Sequence, residues 1–280
     1  WSLRIATDMT WLGWLISFGK SDFLPRQRRE HLGFLMATSV RLRGVLTGAF
    51  MVPVTRQERI IAKATEIKSS RRVMVRRLAK LAGDVVSASL ALGGVARLFT
   101  RRLYALIETR DGWNSWVNVS EEVRQECDFW MTAPAHIWEG QPILRCERYR
   151  DAVDVVAWTD ASDFAYGGFL SEQAGLHRHA ARFVRGDLTK FEQSCSSMVR
   201  ELLGLLYMLR SMPRSGPGSL DDKIVKASLD NQGAVFALGG EVFGFDGIYG
   251  GSPKVACQEV AEDILRECIQ RRIRLVPLWV

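Results

Sequence analysis

Apolar positions recur along this chain in two rhythms, and the change from one to the other divides it. Ile60, Ile61, Ala64 and Ile67 follow helical spacing, and Val75, Leu78, Ala82 and Val85 repeat it after a break at Ser69-Ser70. Residues 56–110 therefore read as helical. Pro53 precedes the first helix, and Thr55 with Glu58 has the spacing of a capping box. The pattern predicts a third helix over Gly94–Glu108, and Ser120-Glu-Glu-Val opens another with acidic residues in its first turn. Ahead of the helices, residues 1–55 mix short apolar runs with turn signals. Leu12 to Lys20 reads as a strand or hairpin edge, Ser21 to Arg26 as a turn, and His31 to Met36 as a second strand in which Gly33 permits close backbone approach.

The pattern breaks over Pro142–Arg150, in a charged stretch that marks a domain boundary. Strand signals then come first: Val153–Thr159, Ala165–Leu170 and Leu176–Phe183. A helix over Ser196–Arg210 follows, then a loop rich in Pro, Gly and Ser, strand Ile224–Leu229, a short helix Gln232–Leu238, a helix over Lys254–Arg271 and a last strand Ile273–Val280. The order βββαβαβ predicts an α/β fold, a mixed five-stranded sheet flanked by helices.

Three acidic residues stand out against this frame. Asp160 ends the first of these strands, Glu201 lies within the helix that follows, and Asp230 ends the Ile224–Leu229 strand. Glu201 shares the line of Met198, Leu205 and Met208 on a helix that is apolar nearly all round. A carboxylate in such a stripe is costly unless a positive partner meets it, either a cation or a basic residue such as Arg200. Three carboxylates converging from rigid elements suit a hard divalent cation, which takes oxygen ligands.

Charge adds a partner. The 280 residues hold 38 Lys+Arg against 31 Asp+Glu, a formal net charge of +7, which suggests a polyanion. Arg72, Arg76, Arg77, Lys80, Arg97, Arg101 and Arg102 cluster on neighbouring helices and form a candidate phosphate-contacting face. Trp113, Trp116, Trp130 and Trp138 are read mainly as core, with base stacking as the alternative. Cys127, Cys146, Cys195, Cys257 and Cys268 are odd in number and widely spaced, which points to reduced thiols. His177 and His179 share a strand face but have no cysteine nearby, so no zinc site is expected. No apolar run reaches membrane-spanning length and no secretion signal is visible, so an intracellular setting and no membrane partner are expected. The chain begins at Trp1 and ends inside an apolar run, and both ends read as cuts through a longer protein.

Three segments carry a family resemblance: Trp158-Thr-Asp-Ala-Ser-Asp-Phe-Ala-Tyr-Gly-Gly168, Ser196-Ser-Met-Val-Arg-Glu-Leu-Leu203 and Leu229-Asp-Asn-Gln-Gly-Ala-Val235. They resemble the first three motifs of a type 1 ribonuclease H domain, in the form found in reverse transcriptases of DIRS-like retrotransposons. Leu12-Gly-Trp-Leu-Ile16 and the stretch Pro25 to Phe34 resemble the end of a polymerase palm with its primer grip, and Arg77 to Gly83 resembles the thumb helix after it. The resemblance implies palm end over 1–55, a helical thumb and connection over 56–145, and a ribonuclease H-like domain over 151–280 that stops short of its own end. It makes Asp160, Glu201 and Asp230 ligands of two Mg²⁺ ions, with Mn²⁺ as a substitute, and sets Ser162, Asn231 and Gln232 beside the substrate. The implied reaction is endonucleolytic hydrolysis of the RNA strand of an RNA–DNA hybrid, with the basic helices gripping template–primer duplex.

Two departures shape that expectation. The family's fourth carboxylate follows the last strand and is not in this chain, so weak or absent cleavage is expected of it. The polymerase's own Tyr-x-Asp-Asp motif is also missing, so no DNA synthesis is expected. Two other readings stand beside this one: a remnant that binds nucleic acid without chemistry, and a nuclease or integrase of different substrate on the same scaffold.

Overall fold

The computed structural model describes residues 2–17, 24, 26–42, 45–143, 153–172, 182–238 and 255–280. Helix α1 (Ser2–Trp11) opens the chain. The strand expected over 12–20 is not formed in its described part. The N–H groups of Leu12 and Trp14 bond back to the carbonyls of Asp8 and Met9, and Gly13 takes φ 87°, so these groups end a helix and leave no ladder. β1 (Arg28–His31) and β2 (Phe34–Leu42) pair antiparallel. Between them Leu32 (φ 50°) and Gly33 (φ 76°) make a two-residue turn, so the single strand expected over His31–Met36 is a hairpin corner.

β3 (Val45–Met51) pairs with β2, and α2 (Val54–Ser69) follows. Ile60, Ala64 and Ile67 are its buried stripe, as the spacing predicts. Pro53 stands at the N-cap without a side-chain cap, so Thr55 falls inside the helix and the Thr55–Glu58 box does not form. The helix expected from Arg71 begins only at Val75. Its lead-in is a short strand, β4 (Arg72–Met74), with Val73 turned into the core. α3 (Val75–Val86) buries Val75, Leu78, Ala82 and Val85 as expected, with Leu81 beside them.

α4 (Ser89–Leu92), α5 (Gly94–Leu98) and α6 (Arg101–Glu108) come next. One helix was expected over Gly94–Glu108, and it breaks at Phe99-Thr100. Phe99 is fully buried and stacked on Phe129 with ring centroids 3.7 Å apart, and its carbonyl accepts the Trp130 indole N–H at 2.8 Å. Tertiary contacts thus take the groups that would have continued the helix. β5 (Trp116–Asn118) pairs with β4. α7 (Glu121–Thr132) starts where expected, with the Ser120 hydroxyl accepting from the Val123 N–H. α8 (Ala135–Trp138) leads to β6 (Gln141–Ile143), which completes a four-stranded sheet of order β1-β2-β3-β6. The expected boundary at 142–150 falls mostly outside the described residues, as do Cys146, His177 and His179.

The C-terminal part is an α/β unit, a mixed five-stranded sheet flanked by helices, as the order of elements predicts. β7 (Val155–Ala161), β8 (Ala165–Glu172) and β9 (Arg182–Asp187) form an antiparallel meander. Two helices follow, α9 (Lys190–Gln193) and α10 (Ser197–Ser211). Then come β10 (Ile224–Leu229), α11 (Gln232–Ala237), α12 (Val255–Gln270) and β11 (Arg274–Trp279). The sheet order is β11-β10-β7-β8-β9, with β10 parallel to both β7 and β11. The third strand, expected over 176–183, is described only from Arg182 and runs on to Asp187. α9 was not anticipated; its start is a capping box between Thr189 and Glu192.

α10 packs on β7, β8 and α12, and its Leu202, Leu205 and Leu209 are fully buried. Buried Asp154 accepts the Ile224 N–H at 2.7 Å and pins the start of β7 to β10. Buried Arg271 donates to the carbonyls of Leu209 and Pro213 and pairs with Asp221 at 2.6 Å. The helical and sheet units share one apolar cluster. At their junction the Arg266 guanidinium lies 5.0 Å from the Phe99 ring centroid, and Arg102 pairs with Glu262 at 3.1 Å. Cys127, Cys195, Cys257 and Cys268 are free thiols. Among the described residues no helix is long and apolar enough to cross a membrane.

Candidate metal centre

Asp160, Glu201 and Asp230 arrive from three elements. Asp160 is the sixth residue of β7, on the face opposite Val155, Ala157 and Thr159, and it is exposed. Asp230 follows the last residue of β10, the strand that pairs parallel with β7, so both carboxylates leave the same end of the sheet. Glu201 comes from the first turns of α10, which crosses that end. Gly204, one turn on, faces β7 and β8: a Cβ there would sit in ordinary contact with the Tyr166 Cβ at 3.4 Å and the Asp160 carbonyl oxygen at 3.8 Å.

One oxygen from each of the three carboxylates lies within 4.8 Å of the others. Glu201 is 3% exposed, and its Oε2 is buried with no hydrogen-bond partner. Its acidity shows the strain of that position. Burial first, then the charge and hydrogen-bonding reach of Asp230, then the charge of Asp160, push the Glu201 carboxyl up to about 8, against a weaker opposing pull from the Ala161 backbone. Arg200, the basic neighbour considered as its partner, turns away. It donates to the Cys195 carbonyl at 2.6 Å and pairs with Asp163 at 2.5 Å. Among the described residues no basic side chain pairs with the three carboxylates, a donor set that suits a hard divalent cation.

The flanking residues are placed by local bonds. The Ser162 hydroxyl donates to the Ala165 carbonyl and accepts from the N–H groups of Phe164 and Ala165, so it shapes the turn behind Asp160. Asn231 is the N-cap of α11, its Oδ1 accepting from Ala234, and Gln232 is the first residue of that helix. Sequence reasoning missed Trp279. Its indole N–H donates to the Asp230 carbonyl at 3.0 Å, and the Val280 N–H donates to Leu229. Only the parallel register of β10 and β11 reveals that role.

The basic residues divide. Arg72, Arg76, Lys80 and Arg97 are exposed, and Arg77 is exposed but paired with Glu66. Arg101 is half-buried and donates to the Ala237 carbonyl at 3.3 Å, while Arg102 is held by Glu262 and Gln125. The last two therefore lie at the junction between the units. Of the tryptophans, Trp130 and Trp138 are core, as expected, and Trp113 and Trp116 are on the surface.

No protein-family model matches the chain. No curated protein matches it either. Among solved structures it is similar to three of the foamy viral protease–reverse transcriptase. One is the dRH form with double-stranded DNA, at 13% identity and TM-score 0.34, covering 92% of this chain and 38% of that one. A second, with an RNA/DNA hybrid, has 14% identity and TM-score 0.34, covering 90% and 29%. The third, with double-stranded DNA, has 13% identity and TM-score 0.35, covering 91% and 45%. The chain spans less than half the length of each of these.

Proposed function

We propose that this chain belongs to a retroelement reverse transcriptase and cuts the RNA strand of RNA–DNA hybrids at Asp160, Glu201 and Asp230, with divalent ions, Mg²⁺ or Mn²⁺, as cofactor. The observation that carries the proposal is the buried, unpartnered Oε2 of Glu201 within the triad of carboxylates. A carboxylate is tolerated there when a cation meets it, and the donor chemistry fits one. The motif resemblance around the same three residues supports the choice of reaction.

The three carboxylates would hold the ions. Bound there, divalent ions supply activation of a water and stabilisation of the leaving oxygen in an in-line displacement. The chain's own residues do the positioning. Asp160 and Asp230 present exposed oxygens at the sheet end, and buried Glu201 is held by a packed helix. Because the Asn231 Oδ1 is used to cap α11, its side-chain NH₂ is what remains to meet a substrate strand. Trp279 fixes the backbone of Asp230. Exposed Arg72, Arg76, Lys80 and Arg97 offer positive charge to the duplex phosphates.

The test is metal-dependent stabilisation and cleavage by the 280-residue chain. Millimolar Mn²⁺ is expected to raise its unfolding temperature and to permit slow cutting of a hybrid's RNA strand over double-stranded RNA and DNA. Asp160→Asn is expected to remove both effects. A chain whose stability ignores both ions overturns the metal centre. Metal binding with tight, salt-sensitive hybrid affinity and no cutting favours a nucleic-acid-binding role without chemistry.

A further inference from the structure

The two surface tryptophans lie outside the metal centre, and their setting is basic. Trp113 is 49% exposed and Trp116 is 52% exposed, while the other two of that group are buried. An exposed indole offers a flat apolar face that a planar group or a cation can stack on. The Trp113 loop is fastened to the start of α3: the Arg76 N–H donates to the Trp113 carbonyl at 3.2 Å and the Val75 N–H to the Ser115 carbonyl at 3.0 Å. Arg110 stacks on the indole, its guanidinium carbon 4.4 Å from the ring centroid, and is itself anchored to the Ile107 carbonyl at 3.0 Å. The indole is therefore oriented without being covered by core.

Beside it lies an open recess of about 400 Å³ lined by Arg76, Ala79, Lys80 and Trp113. Arg76 and Lys80 are one helical turn apart on α3, so both cations face one side, with the small Ala79 between them. Among the described residues no acidic one lines the recess. On the adjoining pair β4–β5, Trp116 shares the outward face with Arg72, whose side chain reaches the Trp116 carbonyl. Cations and exposed indoles thus lie on adjoining elements, the start of α3 and the pair β4–β5, which the Val75 to Ser115 bond joins.

We propose that this recess binds unpaired nucleotides of a single-stranded nucleic acid, a base stacking on Trp113 and its backbone phosphates meeting Arg76 and Lys80. The choice of a single strand follows from the ring. A base in a duplex has its faces covered by its neighbours, while an unpaired base offers a face to an indole. The proposal deepens the reading that this chain handles nucleic acid, but it needs neither the metal centre nor cleavage.

The test therefore uses the 280-residue chain carrying Asp160→Asn in EDTA, with fluorescence anisotropy of labelled oligothymidylate. Trp113→Ala is expected to weaken binding at least about fivefold, and Trp113→Phe to restore most of it. Arg76→Gln with Lys80→Gln is expected to flatten the salt slope by about 1.4, for two lost phosphate contacts. Thermal unfolding of each variant separates loss of binding from loss of fold. Binding indifferent to Trp113→Ala in a folded protein overturns the proposal. So does competition by polyglutamate as effective as by unlabelled oligonucleotide, which marks a plain electrostatic patch, and so does a blunt duplex whose binding depends on Trp113 as strongly as the single strand's. A wild-type chain whose stability ignores Mn²⁺ while binding still depends on Trp113 sinks the metal-centre reading and leaves this one standing.

Discussion

Two buried glutamates, one in each half of the molecule, show the difference between a structural and a reactive carboxylate. Glu126 is 2% exposed and Glu201 is 3% exposed. Burial is the first cause of a raised pKa in both, to about 7 and about 8. Their partners differ. Both oxygens of Glu126 accept backbone N–H groups, from Arg102 at 2.8 Å and Leu103 at 2.9 Å, so it satisfies the first turn of α6. Glu201 keeps one oxygen without a partner and faces two further carboxylates. The first is complete within the fold; the second is completed only by something positive from outside.

The sharpest way to break this comparison is Glu201→Gln. It should lower affinity for Mn²⁺ by more than about 100-fold, read by calorimetry, since a ligand's loss exceeds that of its supporting groups. The same change should leave the metal-free protein as stable or more so, because it removes a repulsion. Unchanged Mn²⁺ affinity would falsify the contrast.

Glu126→Ala should do the reverse. It leaves two buried N–H groups unpaired and should cost about 3 kcal/mol in denaturant unfolding, while the response to Mn²⁺ persists. A neutral effect on stability would mean that water replaces the carboxylate.

The pH dependence sharpens the comparison further. Both folded values lie above the ordinary 4.5, so the folded state holds protons that the unfolded state has released. The stability they contribute is complete below about 4.5 and is lost as pH rises through about 7 and about 8. In EDTA the unfolding temperature should fall across that window, Glu201→Gln should flatten its upper part, and Mg²⁺ should oppose the fall. A flat profile in EDTA would contradict the assigned repulsion. The smallest expected effect is that of Trp279→Phe. Losing one hydrogen bond to the Asp230 carbonyl should weaken Mn²⁺ binding only a few-fold, on the order of 1 kcal/mol.

Much of the C-terminal unit was legible because its strands are short, apolar and bounded by turns. β10 matches its expected span residue for residue, and the Glu201 helix differs by one residue at each end. The helical unit was legible in its stripes but not in its breaks. Phe99 interrupts a helix because Phe129 and Trp130 capture it from another part of the chain. The hairpin corner at Leu32-Gly33 was hidden because the apolar residues on its two sides read as one run.

Local spacing alone was enough to place Asp160 and Asp230 at strand ends and Glu201 on an apolar stripe, since strand and helix periodicities are short-range properties of the chain. Only the tertiary structure decided that the three converge within 4.8 Å, that Arg200 serves Asp163 instead of Glu201, and that Arg101 faces the junction while Trp113 faces solvent. Those outcomes depend on which elements pack together and in what register, and residues distant in sequence set that jointly.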